Sequence, residues 1–277
     1  METTNKTGSN VIVTEKNQQP AKIDPRAIID PSAKLADNTI VGPYSIIGAD
    51  VEIGEGTEIG AHVTIKGPTK IGKHNKILQF ASIGEDPQDL KYQGESVRLE
   101  IGDHNTIREF CTINRGTKGG GGITKIGNNN FLMSYVHIAH DCILKNHIII
   151  ATHVSLAGHI TVDDYAIFGG FVGVHQYCYI GAHSFSAAGS LIPKDVLPFT
   201  KVSGYYAKPF GLNNVGLRRR NFSEDTMAVL KQIYKIIYRK NLTVEETIVE
   251  LSEMDGEADE VGIMIEALKR SQRGIVR

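Results

Sequence analysis

The sequence has no tryptophan, only three cysteines, and no apolar run near the ~20 residues that a membrane-spanning helix needs. Its greasiest stretch, Ile148-Ile149-Ile150, is bounded closely by His147 and His153. An odd number of cysteines in 277 residues makes no disulfide framework and fits a reducing compartment. Residues 1–22 hold a single apolar run, Val11-Ile12-Val13, too short for the core of a signal peptide. They read as a polar, disordered leader, and the chain is expected in the cytoplasm with no membrane span. Neither sign of charge dominates: 30 Lys+Arg stand against 31 Asp+Glu. That balance argues against a nucleic-acid scaffold or a polybasic membrane binder. With 41% hydrophobic residues a packed core is available, so wholesale disorder is excluded.

What the chain has in abundance is glycine, 29 residues, and a period. From Ile23 a large apolar residue recurs every six: Ile29, Leu35, Val41, Ile47, Ile53, Ile59, Ile65, Ile71, Ile77, Ile83. The phase resumes at Ile101, Ile107 and Ile113, slips by one residue, and runs again from Ile126 through Ile180, closing at Ile192. Glycine follows that residue ten times, as at Gly42, Gly54 and Gly181. A period of six fits neither a 3.6-residue helix nor one continuous strand. It fits short strands separated by turns, with glycine where the backbone bends tightly. Three hexads make a triangular coil of 18 residues, and stacked coils make a parallel β-helix. The slot four positions after the aliphatic residue is mostly small or apolar, and Cys111, Cys142 and Cys178 all fall in it. The cysteines are therefore core residues rather than metal ligands or nucleophiles.

The β-helix is expected over 23–198, interrupted near 85–100 and 114–125. In the first interruption the in-phase residues are Asp89 and Glu95, which cannot fill a core, so EDPQDLKYQGESVRLE should leave the prism as a loop. The second, RGTKGGGGIT, reads as a short flexible excursion. It matches no phosphate-cradling glycine pattern. After Pro198 the period ends, and 199–277 forms a connector and a helical domain. Met227, Leu230, Ile233, Tyr234 and Ile237 are spaced as one helix face after the capping Ser223. Thr243 with Glu246 forms a capping box for a second helix through Leu251, and a third covers Ala258 to Arg270.

The register also sorts the ten histidines. Seven (His62, His74, His104, His147, His153, His159, His183) occupy a turn slot whose default is solvent exposure. Residues 18 apart stack on adjacent coils about 4.8 Å apart. His140, Gly158 and Gln176 therefore form one column, and Asp141, His159 and Tyr177 the next. An imidazole beside a carboxylate and an accessible backbone N–H can deprotonate a hydroxyl and hold a developing oxyanion. From spacing alone, a satisfied surface patch stays open as the alternative.

Segments QFASIGEDPQDLKY, HIAHDC, LAGHITVDDYAI, GVHQYC and GLRRRNF, in this order, closely resemble the acyl-ACP–UDP-N-acetylglucosamine O-acyltransferases that begin lipid A biosynthesis, within the hexapeptide-repeat acyltransferases. The resemblance runs from Ile23 to Arg277. It implies a left-handed parallel β-helix with a small C-terminal α-helical domain, and a homotrimer with sites between subunits. It also implies transfer of an (R)-3-hydroxyacyl group from acyl carrier protein to the sugar 3-hydroxyl of UDP-N-acetylglucosamine, without metal or cofactor. By the same resemblance His140 is the general base, Asp141 orients it and the Gly158 N–H holds the oxyanion. Asp89, Lys91 and His159 match sugar-nucleotide contacts, and Asn213, Arg219 and Arg220 match contacts to nucleotide or phosphopantetheine. His137, His175 and Gln176 match the lining of the catalytic and acyl pocket, and Ala188 matches the acyl-length ruler, where relatives often have glycine. Val215 replaces a glutamate that touches the ribose in some members, and Asn114 replaces a histidine.

Alternatives differ in class. A 3-amino analogue of the sugar nucleotide would suit the same machinery. A trimeric zinc enzyme would need three histidines converging between subunits. A non-catalytic β-helix scaffold would present a flat repeated array, whereas the outward residues here are mixed.

Overall fold

The computed structural model of the chain describes residues 19–254, 256 and 258–277. Most of the expected leader, residues 1–18, lies outside the described residues; Lys22 already pairs with Ile40. Among the described residues the strands form three sheets, of eleven, nine and eight strands. Each sheet is one wall of a triangular prism wound as a left-handed β-helix. The strand Ile40–Val41 belongs to the first wall, Ile46–Ile47 to the second and Val51–Ile53 to the third. Partners along a wall are parallel and 18 residues apart in the uninterrupted coils, as in Ile138 with Leu156 and Leu156 with Val174. Parallel crossovers usually wind right-handed because strand twist selects that hand. Most strands here are two residues long, as at Ile149–Ile150 and Ser155–Leu156, and accumulate little twist.

The six-residue period does the packing. Every in-phase aliphatic residue from Val41 to Ile180 is buried, and so are the three cysteines. Burial pushes the Cys111 thiol up to about 11 and those of Cys142 and Cys178 up to about 12. They stay protonated and unreactive at neutral pH.

Most glycines directly after an in-phase residue, Gly84 apart, serve a different purpose from the one the sequence suggests. A Cβ on Gly42 would lie 2.7 Å from the Gly60 carbonyl carbon, and one on Gly54 would lie 2.6 Å from that of Gly72. Stacked turns leave no room there, although neither glycine has a positive φ. The left-handed conformations fall two positions later, on Tyr44, His62, His74, Phe80, Asp141, His159 and others, with φ near 60°. Rings stacked from coil to coil offset the cost of that conformation. Between the first and second walls Tyr44, His62, Phe80, Phe110, Tyr135, His153 and Phe171 form one ladder, with centroids 4.7–5.1 Å apart.

Two segments leave the prism. Residues 86–97 lie between the strands Ser82–Glu85 and Arg98–Ile101. Residues 115–122 lie before the strand Ile123–Ile126 and contain a single 3-10 turn, Lys118–Gly120. After the last coil the strands Thr200–Ser203 and Lys208–Leu212 pair antiparallel on the first wall. Helices α1 (Asn214–Arg219), α2 (Glu224–Arg239), α3 (Val244–Ser252) and α4 (Asp259–Arg270) follow. Ser223 caps α2, and Thr243 with Glu246 forms the capping box of α3. The helices pack through Met227, Leu230, Ile233 and Leu268 onto Tyr179, Leu197 and Phe199 of the prism. Asp195 fastens the junction, accepting from Tyr179 N at 2.8 Å and from Ser271 Oγ at 2.6 Å.

Candidate active site

His140 and Asp141 occupy the turn between the second and third walls, after His137–Ile138 and before Ile143–Leu144. His140 Nδ1 lies 2.7 Å from Asp141 Oδ2, with the two side chains 13% and 1% exposed. The imidazole Nδ1–H thus faces the carboxylate, which leaves Nε2 as the proton acceptor. Gly158 sits one coil on, where a Cβ would lie 2.6 Å from His140 Cε1. Only glycine lets the ring lie flat against that turn. Among the described residues the Gly158 N–H donates to no backbone carbonyl, while its own carbonyl accepts from Tyr177 N.

Below the pair, His159 Nδ1 lies 3.7 Å from the same Asp141 oxygen, and the His140 and His159 rings meet edge to face at 5.1 Å. His159 stacks on Tyr177 at 4.3 Å. It is half-buried rather than exposed as its turn slot suggested, and so is His183. The slot points outward, but His140 and Tyr177 pack against the His159 ring, and Phe199 and Phe222 against that of His183. Burial lowers the affinity of His159 for a proton, Asp141 and Asp89 oppose this, and His140 adds to it. Burial and His140 likewise push His137 down; its Nδ1 pairs with Thr112 Oγ1 at 2.7 Å.

Asp89 is half-buried on the 86–97 loop, where its carboxylate acts on His159, and Lys91 is exposed beside it. Buried Arg115 ties this loop down, donating to the Gly67 carbonyl at 2.8 Å and to Asp86. His175 and Gln176 lie exposed on the next coil at the same corner. A cleft of about 350 Å³ runs from it along the second wall, lined by His137, Ser155, Gly173, His175 and Leu191.

The remaining sequence-derived residues stand elsewhere on the single chain. Arg220 lies over the Tyr165 ring at 4.7 Å, at the corner between the third and first walls. Asn213 caps α1 and donates to the His183 carbonyl at the same corner. Arg219 borders a cleft of about 600 Å³ on the first wall, with Ile149, Ile167, Phe185 and Val215. Ala188 is exposed in the turn between the first and second walls. Asn114 is buried and donates to the Asp86 carbonyl at 2.6 Å.

Sequence reasoning missed Thr117, Gly120 and Thr124. Asp141 Oδ1 accepts from Thr117 N at 2.8 Å, and Oδ2 accepts from Thr117 Oγ1 at 2.6 Å. Asp141 N donates to Thr124 Oγ1 at 2.8 Å. The excursion expected at the glycine run thus meets the carboxylate through Thr117, with Gly120 packed close against it. Its signal in the sequence was the cluster of glycines before a resumed hexad, which gives no hint of what the turn touches.

His140, Asp141 and His159 offer ligand atoms within 4.8 Å of one another, a spacing a metal could use. Both carboxylate oxygens are already taken by Thr117, and His140 Nδ1 faces one of them. The donors that would ligate are engaged with each other, so the geometry suits proton transfer better.

Known proteins carry the same pattern. The family described as Udp N-acetylglucosamine O-acyltransferase, domain 2, matches residues 195–276, and the bacterial transferase hexapeptide family matches 32–67 and 123–158. An acyl-[acyl-carrier-protein]–UDP-N-acetylglucosamine O-acyltransferase of Pseudomonas putida (strain W619) is 56% identical over 255 residues, 92% of this chain and 99% of the relative. One from Thiobacillus denitrificans is 51% identical, covering 93% of this chain and all of its own length. The crystal structure of UDP-N-acetylglucosamine O-acyltransferase from Moraxella catarrhalis superposes with a TM-score of 0.91 at 48% identity, over 92% of this chain and 99% of that one. Prism, helical tail and near-full-length identity agree: this chain belongs to the acyl-ACP–UDP-N-acetylglucosamine O-acyltransferase family.

Proposed function

We propose that this chain transfers an (R)-3-hydroxyacyl group from acyl carrier protein to the 3-hydroxyl of UDP-N-acetylglucosamine, the first step of lipid A biosynthesis, in the cytoplasm. Near-full-length identity to acyltransferases of that name supports the reaction. The observation that carries the chemistry is the buried His140–Asp141 pair beside Gly158. His140 Nε2 takes the proton of the sugar hydroxyl as its oxygen attacks the thioester carbonyl. Asp141 stabilises the imidazolium that forms, and the Gly158 N–H holds the oxyanion until the thiolate of the carrier leaves and takes the proton. The thioester is already activated, so the step is complete with these groups. Asp89, Lys91 and His159 face the sugar nucleotide, and the cleft lined by His137 and His175 receives the reacting end of the acyl group.

We propose further that the active unit is a homotrimer. Asn213, Arg219 and Arg220 lie on a different corner from His140, and a neighbouring copy would bring them to it. The walls differ in the same sense. Facing outward on the third wall, Lys34, Glu52, Lys70, Glu100 and Lys125 alternate in charge from strand to strand. The opposite corner instead exposes its aromatic ladder, with Phe171 68% and Tyr44 53% accessible. A solvated wall and two walls meeting at an apolar edge suit three prisms packed edge inward.

His140→Ala is expected to slow transfer by roughly 10²–10⁴, the contribution of a positioned base. Acyl transfer from a ladder of 3-hydroxyacyl-ACP lengths checks it. A folded variant with near-normal turnover would remove His140 from the role.

A further inference from the structure

We infer that Thr117 is a positioning residue for the His140–Asp141 pair, and that the glycine turn behind it is built to close over that carboxylate. The inference rests on the reading of His140 as base.

A carboxylate 1% exposed is costly unless its lone pairs are filled. Thr117 fills two of them, one through its backbone N–H and one through its hydroxyl. The hydroxyl has one proton, and the carboxylate receives it. The oxygen in turn accepts from Gly120 N at 3.2 Å, which fixes the rotor. Thr117 is itself buried. The carboxylate has two imidazoles within reach, and its orientation decides between them. As Thr117 holds it, Oδ2 lies 2.7 Å from His140 Nδ1 but 3.7 Å from His159 Nδ1. Without the hydroxyl, Asp141 is free to turn towards His159, and His140 loses its orienting partner.

The glycines around Thr117 meet separate demands of the same arrangement. A Cβ on Gly120 would lie 2.0 Å from Asp141 Cγ, and one on Gly116 would lie 2.2 Å from Ile123 N. Gly121 and Gly122 adopt φ of 95° and 78°, a region that side chains disfavour. Both ends of the turn are pinned to the prism, by Gly116 N to the Arg98 carbonyl and by Arg98 N to that of Gly122. The turn is thus tied to the prism at both ends, with Thr117 held between them.

The test uses the full-length enzyme with UDP-N-acetylglucosamine and 3-hydroxyacyl-ACP, measuring kcat and both KM values. Thr117→Val should lower kcat ~10–100-fold, the size of effect that outer-shell hydrogen-bond partners have on the groups they hold at metal sites. Both KM values should stay within about threefold, since no substrate contact is removed. Thr117→Ser should restore most of kcat. In a His140→Ala background Thr117→Val should cost nothing more, because the residue it positions is gone. Should Thr117→Val not fold, Gly120→Ala carries the test: it keeps Thr117, pushes a methyl at the carboxylate and should give the same kcat-selective loss. Full activity of Thr117→Val, no rescue by serine, or an equal further loss on top of His140→Ala would each overturn the proposal. Near-normal turnover of His140→Ala alone would instead defeat the base reading, and the proposal with it.

Discussion

At the scale of single residues, the turns show what the sequence conceals. Histidine, tyrosine and phenylalanine hold φ near 60°, while glycines directly after an in-phase residue, such as Gly42 and Gly54, do not. Hexad phase identified which residues share a turn, so the column of His140, Gly158 and Gln176 was legible from spacing. The bond from Thr117 was not, because it joins residues 24 apart through a segment without period. Gly158→Ala is expected to reduce transfer sharply while leaving thermal unfolding near wild type, since its methyl meets a movable imidazole rather than backbone. Turnover measured beside a melting curve checks this. His183 makes a pH prediction. Burial, with Arg220 nearby, pushes its imidazole down to about 4, against an ordinary value near 6.5. The unfolded chain therefore binds a proton between those values that the folded chain refuses. That contribution to stability is complete above about 6.5 and is lost as the pH falls towards 4. Phenylalanine stands in equivalent turns at Phe171 and Phe199, so His183→Phe should fold. It should lose less melting temperature between pH 6.5 and 4 than wild type, and parallel curves would exclude the effect.

At the scale of elements, the prism interior is not wholly apolar. Asn75, Asn105 and Asn130 occupy the inward slot that elsewhere holds valine, threonine or cysteine, and all three are buried. Each passes hydrogen bonds to the next coil. Asn105 Nδ2 donates to Asn75 Oδ1 at 3.0 Å and to the Gly127 carbonyl at 2.9 Å, and its Oδ1 accepts from Asn130 N at 2.9 Å. The ladder bridges the coils on either side of the one-residue slip, where a side-chain amide can span an uneven turn. Asn105→Val should cost about 2–4 kcal/mol by stranding the Gly127 carbonyl and the Asn130 N–H. A denaturant midpoint unchanged from wild type would show that the interior repacks around the loss. The helices were legible wherever a cap preceded a stripe, as at Ser223 and Thr243. Helix α1 and the antiparallel hairpin before it were not. A six-residue helix shows less than two turns of periodicity, and its cap, Asn213, bonds to His183 from 30 residues away.

At the scale of the whole molecule, the exposed ring ladder bears on assembly. Phe110→Glu or Tyr135→Glu puts a carboxylate on the edge where the proposed trimer meets. Either is expected to yield monomers in sedimentation and to abolish transfer, because Arg219 and Arg220 would no longer reach a neighbouring His140. A variant that remains trimeric would place the contact on another edge. The coil also has a consequence for how its length can vary. Removing 42–59 joins Val41 to Gly60 with every wall in phase, because Val41 and Ile59 are already register partners. The shortened prism would lose one storey and nothing else, well below the His140 corner. Removing six residues would still seat an aliphatic side chain inside, but would turn all preceding storeys by one wall. Tyr44 would then leave the aromatic edge for a neighbouring corner. The interior counts in sixes while the exterior counts in eighteens, so a length change can be silent for folding and still misalign the surface that meets another copy.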